Sequence, residues 1–522
     1  MRILLGQSDT NLNVGDTMYR RTPTPLFWAA KHGHEGVVRI LLERNDINLD
    51  AADGYGRTPL CIAADYGHEG VVKILAEQGD VNLNADDVYG RTPLAWAADR
   101  AILKVVRVLL QRNGVNPNIA DQDGRTPLSL AVAGGGEEVV TMLLQRNDVN
   151  PNTADHNGRT PLSWAAECGD DRVVRILVER GDVNPNIADC NDQTPLAWAA
   201  GSGHSGVVRL LLERNNIDPD RADYCGRTPL SMAALRGHEG VVKILLERDD
   251  VNPDTADINK ETPLSVAALK GHEEVVRMLL ERNSVNPNGA CTSGMTPLSL
   301  AAENGHEGVL RRLLERNDIN PSIADTDFDR TPLLWAAWNA KEGAVRILLG
   351  RNGINPETRD RCGQTPLCWA ARNGDEATVR ILLDRDCVNP NMAGEDGETP
   401  LWQAARNENE GVVKILLGRD DVDPNTASED GQTPLLWAAQ NGNEELVRML
   451  LERNDLNLDT ADNSGQTPAG WVAGGVHDGI AKLLRDRTDI TSRHAPRLQP
   501  AEPCSPELSE LSEPASKRIR RF

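Results

Sequence analysis

Residues 223–256 read DYCGRTPLSMAALRGHEGVVKILLERDDVNPDTA, and this stretch decides the fold. Thr228 followed by Pro229 marks a helix start. A threonine hydroxyl accepts an N–H of the first turn, and proline at the first helical position forfeits no hydrogen bond. The helix runs from Pro229 to Arg236 and carries two alanines, Ala233 and Ala234, that let neighbouring backbones approach. Gly237 stops it, because glycine enters the left-handed conformation without a Cβ penalty. A second helix follows a tight turn, with Val241, Val242, Ile244, Leu245 and Leu246 at helical spacing and Lys243, Glu247 and Arg248 toward water. Val251-Asn252-Pro253-Asp254 then reads as extended chain and turn, since proline and Asx residues exclude helix.

The Thr-Pro step recurs at Thr24, Thr58, Thr92, Thr126, Thr160, Thr194, Thr228, Thr262, Thr296, Thr331, Thr365, Thr399, Thr433 and Thr467. These fourteen units, numbered below as repeats 1 to 14, are spaced by 34 residues except for the 35-residue step from Thr296 to Thr331. Such a period means a solenoid, because each unit can bury its apolar face only against its neighbours. The position after the second helix is always Asn, Gly or Asp, from Asn45 and Gly79 to Asp420 and Asn454. Those residue types tolerate positive φ, so this position is expected to terminate the helix.

The recurrent G-R-T-P-L and A-A-x-x-G-H-E segments resemble the ankyrin repeat over residues 22 to about 487. The resemblance implies an all-α solenoid, an ankyrin helix-turn-helix-hairpin stack of about fourteen units. One departure is that the histidine of the family's T-P-L-H start is replaced by Phe27, Cys61, Ala95, Ser129, Ser163 and similar residues. The hydrogen bond of that histidine is expected to be absent, with serine replacing only part of it. The period itself resembles the long ankyrin arrays of filamentous fungi, which often follow a nucleotide-binding or effector domain.

Residues 1–21 form a partial repeat: Ile3-Leu4-Leu5 aligns with Ile40-Leu41-Leu42, so the chain opens in a second helix, and residues 1 to about 13 are expected to be poorly anchored. Residues 22–487 form the solenoid, and 488–522 a tail rich in Pro, Ser and Glu that is expected to be disordered. Its last residues, Lys517-Arg518-Ile519-Arg520-Arg521, fit a nuclear import pattern. The chain has 78 acidic against 56 basic residues, a net charge of -22, which argues against nucleic acid and anionic membrane as partners. Nine scattered cysteines without a C-x-x-C pair fit a cytoplasmic or nuclear protein.

No nucleophile–base pair recurs, so no enzyme, cofactor or metal site is expected. Gly201-Ser202-Gly203-His204-Ser205-Gly206 matches a phosphate-cradling pattern but falls in the turn between two helices rather than after a strand. Seven histidines at one repeat position, among them His34, His68, His204 and His238, are expected to cap the turn into the second helix. Eight tryptophans, among them Trp28, Trp96, Trp164, Trp198, Trp335 and Trp369, align with Met232, Val266 and Leu300 and are expected to be packing residues. A register slip at Trp402-Gln403 is expected to expose the Trp402 ring.

The resemblance places a protein partner across the hairpin tips and the inner face of the first helix. Most residues there are polar, such as Asp65, Asp99 and Glu167, and fit a solvated surface. Leu235, Arg236, Leu269 and Lys270 interrupt that pattern at the helix ends, Tyr224 and Ile258 at the tips. The 35-residue repeat adds Phe328 at its tip and Trp338 on its helix. Apolar and aromatic residues interleaved with Arg and Lys have the composition of an interface hot spot. The reading is a monomeric, non-catalytic protein-binding scaffold or adaptor. Its alternative is the sensing arm of a larger signalling receptor whose effector domain lies upstream.

Overall fold

The computed structural model describes residues 12–13, 23–473 and 477–494. The expectations for Ile3-Leu4-Leu5, for the tail beyond 494 and for its basic end lie outside the described residues. The described residues hold twenty-eight helices and no strand, divided between two compact parts, 1–395 and 396–522. In each part, every first helix packs on its own second helix and on the first helix of the next repeat, and the second helices form an adjoining layer. The final helix, Asp478–His494, continues past residue 488, where the tail was expected to begin.

Repeat 7 shows why the chain folds this way. The Thr228 hydroxyl accepts the Ser231 N–H at 3.2 Å, Pro229 occupies the first helical position, and Gly237 closes the helix at φ +74°. Ala233, Ala234, Val241, Val242 and Leu245 are all fully buried, so each helix pair is dry on both faces that meet neighbours. The missing family histidine costs less than expected, since the serine that replaces it bonds back to the cap threonine, as Ser129 does to Thr126 at 3.2 Å. Cys61 takes the position in another way, donating its thiol to the Ala85 carbonyl of the following hairpin at 3.2 Å.

Positive φ does not occur at the Asn/Gly/Asp position after the second helix; the helix ends earlier, at residues such as Leu42 and Leu246. Its exposed carbonyls are satisfied from the next repeat. Arg146 donates to the Leu110 carbonyl at 3.0 Å, Arg180 to Leu144 at 3.1 Å and Arg316 to Leu280 at 2.9 Å. The same arginine grips an aspartate two residues on, as in Arg146–Asp148 and Arg316–Asp318. The motif Arg-x-Asp is thus a cross-repeat clamp on orphan carbonyls.

The histidines sit at the start of the second helix but their rings do not cap it. Five of them reach back to the preceding repeat, where Nε2 donates to a helix-end carbonyl, among them His68 to Lys31 at 2.9 Å, His204 to Glu167 at 2.9 Å and His272 to Leu235 at 3.1 Å. The ring lies against the helix-ending glycine of that repeat, and a Cβ on Gly237 would fall 2.6 Å from His272 Nδ1. Where the glycine is Ala101, Ala340 or Glu408, the next repeat carries Gly136, Asp375 or Asn443 instead of histidine.

A third link is an asparagine ladder along the loops. Asn118 donates to the Asp148 carbonyl at 2.6 Å and accepts the Asn150 N–H at 2.9 Å, and Asn152 repeats this with Asp182 and Asn184. Asn13 makes the same pair of bonds to Asp46 and Asn48, which anchors the end of the segment expected to be loose.

Candidate partner-binding surface

The hairpin tips and first-helix ends present the residues that vary. Most tips are built on an aspartate, buried in most of these, whose Oδ1 accepts two backbone N–H groups, from Tyr55 and Arg57 in the case of Asp53; Cys291, Gly394 and Ser428 take its place in three others. Successive tips are joined by one backbone bond, such as Val88 N–H to Tyr55 carbonyl at 2.8 Å and Ile258 N–H to Cys225 carbonyl at 2.9 Å. The tip glycine has positive φ and leaves room for that approach; a Cβ on Gly124 would meet the His156 nitrogen at 2.7 Å.

The second oxygen of the aspartate has two possible users, and the residue at the fourth helical position selects between them. Where that residue is aliphatic, the arginine before Thr-Pro takes it: Arg57 on Asp53 at 2.8 Å, Arg125 on Asp121 at 3.1 Å, Arg227 on Asp223 at 2.9 Å. Where it is tryptophan, the indole N–H takes it: Trp96 on Asp87 at 2.9 Å, Trp164 on Asp155 and Trp198 on Asp189 at 3.0 Å, Trp369 on Asp360 at 2.9 Å. The displaced arginine then lies over the ring and finds another carboxylate. Arg91 stacks on Trp96 and pairs with Asp99 at 2.9 Å; Arg159 stacks on Trp164 and Trp198 and pairs with Glu167.

Most of these tryptophans are therefore not core residues as expected. Trp96, Trp164, Trp198 and Trp369 are only partly buried, and Trp28 is exposed. Trp402, expected to be exposed, is 4% exposed, because its indole donates to the Gln432 carbonyl at 2.8 Å while Gln403 bonds to Glu398 beneath it. Asp65 is also no solvated carboxylate; it is buried under an ion pair with Arg100.

Repeat 10 concentrates these features. Its extra residue lets Asp325 accept the Asp327 and Phe328 N–H groups, at 2.9 and 2.7 Å, while Oδ2 accepts the Arg330 N–H and the Trp335 indole. The Arg330 guanidinium then sits within 4.5–5.1 Å of four rings, Phe328, Trp335, Trp338 and Trp369. It faces the Asp360 carboxylate at 3.6 Å. The rings meet edge to face, at 6.1 Å for Phe328–Trp335, 5.4 Å for Trp335–Trp338 and 6.4 Å for Trp338–Trp369. This is a rigid aromatic plate with its own cation as filler, and Phe328 and Trp338 remain exposed on it.

The sequence-derived site residues divide accordingly. Leu269 packs on Met295, Leu300 and Trp335, so Leu269, Phe328 and Trp338 belong to one apolar run across repeats 8 to 11. Lys270 is exposed beside Leu269. Tyr224 and Ile258 stand highly exposed on adjacent tips. Leu235 and Arg236 line a shallow recess with Trp198, Met232 and Arg227, and Arg236 donates to the Gly201 carbonyl at 2.8 Å. Sequence reasoning missed Arg330, Trp335 and Trp369; the signal was the aspartate nine or ten residues before each tryptophan.

Burial pushes the Cys61 thiol up to about 12, so it is protonated and inert. Among the described residues no three His, Cys, Asp or Glu side chains converge as metal ligands, and no helix is long and apolar enough to cross a membrane.

Comparison with known proteins agrees with this architecture. No curated protein matches the chain. The sequence model of a family described as ankyrin repeats, in three copies, matches in overlapping stretches, including 1–87, 182–257, 333–428 and 420–494, that together run from residue 1 to 494. The helix pairs, the Thr-Pro starts and the linked hairpin tips are those of that family, and the chain belongs to the ankyrin repeats.

Proposed function

We propose that the chain is a non-catalytic scaffold or adaptor that holds a partner protein across its tips and first-helix ends, with repeats 8 to 11 as the anchor. Ankyrin repeats are protein-interaction modules, which supports the general role. The observation that carries the specific reading is the Arg330 plate, whose exposed Phe328 and Trp338 are held by ring contacts and an internal cation. Side chains already ordered before binding lose little entropy on contact, and buried tryptophans dominate interface energies. Tyr224, Leu235, Arg236 and Ile258 extend the same face toward repeat 7. We place the protein in the cytoplasm, a reading supported by its scattered cysteines.

The test is a quantitative pull-down comparing wild type with Trp338→Ala, Leu269→Ala and Tyr224→Ala. Trp338→Ala is expected to weaken recovery of the partner about thirtyfold, the effect of one hot spot of about 2 kcal/mol. Unchanged recovery in all three folded variants would move the site elsewhere.

A further inference from the structure

Repeats 1 to 3 carry a second concentration of exposed aromatic surface, distant in sequence from the Arg330 plate. We propose that it is a separate docking surface and that it takes an acidic segment of a partner protein bearing apolar side chains. Tyr55, Val88 and Tyr89 are exposed on adjacent tips, Trp28 and Tyr66 on the helix side. The tips are joined through the Val88 N–H to Tyr55 carbonyl bond at 2.8 Å. The helix side is joined through Lys31, whose Nζ lies 5.0 Å over the Trp28 ring and 5.8 Å over Tyr66. Tyr66 is further held by stacking on His68, with centroids 6.3 Å apart, and that histidine is tied to the Lys31 carbonyl at 2.9 Å. Tip and helix end share one face, since Arg91 of the tip pairs with Asp99 of the helix end at 2.9 Å.

Nothing in the packing calls for these rings to be apolar. Tyrosine and tryptophan on fixed supports offer large contact area at small entropic cost. The charge of the face decides what can lie on it. On the helix-end side its carboxylates are occupied, Asp65 by Arg100 and Asp99 by Arg91; on the tips Asp53 pairs with Arg57 at 2.8 Å and Asp87 accepts the Trp96 indole N–H, while Asp86 is exposed. Among the described residues Lys31 forms no ion pair and lies over the faces of two rings, and His32 is exposed beside it, stacked on Trp28 at 5.8 Å. In a chain of net charge -22, this is a place where an incoming carboxylate meets a surplus cation instead of repulsion. A partner carboxylate on Lys31, with neighbouring apolar side chains on Tyr66 and Tyr89, satisfies both features.

The experiment is selection of a random displayed peptide library on the full chain. Selected peptides are then resynthesised with a fluorophore and titrated by polarisation. The expected peptides carry Asp or Glu beside Leu, Phe or Trp. Their affinity is expected to fall about thirtyfold in Tyr66→Ala or Tyr89→Ala and about tenfold in Lys31→Glu, to weaken with added salt, and to be unchanged in Trp338→Ala. Circular dichroism on each variant separates loss of binding from loss of fold. Equal affinity in the three variants of repeats 1 to 3, or selected peptides without acidic enrichment, would overturn the proposal. So would tighter binding of oligo(dT), or of a synthetic peptide of residues 501–514, than of the selected peptides. The Trp338→Ala arm keeps this outcome independent of the reading for repeats 8 to 11.

Discussion

Repeats 7 and 10 share the buried leucines of their second helices and differ in their surfaces. Leu245 and Leu348 occupy equivalent, fully buried positions in their second helices. On the outer face, Met232 of repeat 7 leaves the Asp223 carboxylate to Arg227, which lies flat on the hairpin with 34% of its side chain exposed. In repeat 10 the Trp335 indole takes the equivalent oxygen, and Arg330 is driven under the rings, where 8% of its side chain is exposed. Trp335 for Met232, Trp338 for Leu235, an inserted tip residue and the neighbouring Trp369 turn a half-exposed salt bridge into an aromatic plate. Surface chemistry in this array is set by which donor captures the hairpin aspartate, while stacking is left untouched.

The largest expected effect tests whether the interiors are truly alike. Leu245→Ala and Leu348→Ala should each cost about 2–5 kcal/mol, as buried leucine truncations do, and should do so by equal amounts. Hydrogen exchange should show the loss confined to nearby repeats, because a solenoid sums unit and interface terms. Simultaneous loss of protection over the whole chain would break the comparison.

Arginine truncation should separate the two repeats next. Arg330→Ala removes a buried cation from four rings and from Asp360, and should cost about 2–3 kcal/mol. Arg227→Ala removes a half-exposed ion pair and should cost about 1 kcal/mol or less. Chemical denaturation of both variants measures the difference, and equal costs would mean that the Arg330 box contributes no more than an exposed salt bridge.

The helix-ending position distinguishes them again. Gly237→Ala in repeat 7 meets both a positive φ and the His272 ring, and should cost about 1–2 kcal/mol. Repeat 10 already carries Ala340 there at φ +52°, facing Asp375 instead of a histidine. His272→Ala should recover part of the loss in the double variant, which a thermal-melt cycle would detect as non-additivity.

The smallest effect lies in the loop that leads into repeat 7. Asp220 replaces a ladder asparagine: it accepts the Asn252 N–H at 2.7 Å, but its buried Oδ1 has no partner. Desolvation raises its pKa above the usual carboxylate value. A carboxylate with a raised folded pKa destabilises at neutral pH, and that penalty is relieved as pH falls through the folded value, fully so below the unfolded one. Asp220→Asn should therefore stabilise by about 1 kcal/mol at neutral pH and remove this acid-side gain. If wild type gains melting temperature on mild acidification and Asp220→Asn gains as much, Asp220 is not the group responsible.

Much of the scaffold was legible before any coordinates. Thr228-Pro229, Ala233-Ala234 and Gly237 act within a few residues of themselves, so their roles as cap, packing pair and stop can be read locally. The misreadings share one cause: His272, Arg316 and Trp164 all act on something their own helix turn does not contain. His272 was read as a cap of its own helix, whereas it ties down the carbonyl of Leu235 one repeat earlier. The residue after Arg316 was read as a helix terminator, whereas the arginine itself closes the previous helix at Leu280. Trp164 was read as core because methionine, valine and leucine share its position, but its indole N–H bonds Asp155 in the hairpin and its ring stays partly exposed beneath Arg159. The candidate site was half visible: Phe328 and Trp338 stood out by residue type, Arg330 did not, because arginine precedes Thr-Pro in five other repeats as well.

By itself the sequence determined the helix pairs, their period and the family to which they belong, because caps, glycine stops and apolar spacing are short-range and are repeated fourteen times. Only the tertiary structure decided which arginines lie on rings, which carboxylates are neutralised, and hence that Tyr66 beside Lys31 and Trp338 above Arg330 form the distinctive surfaces. Several of those partnerships cross from one repeat to the next, as from Arg330 to Asp360 and from Lys31 to Tyr66. They are settled by competition among several donors for one carboxylate, and a linear pattern records the competitors without recording which of them wins.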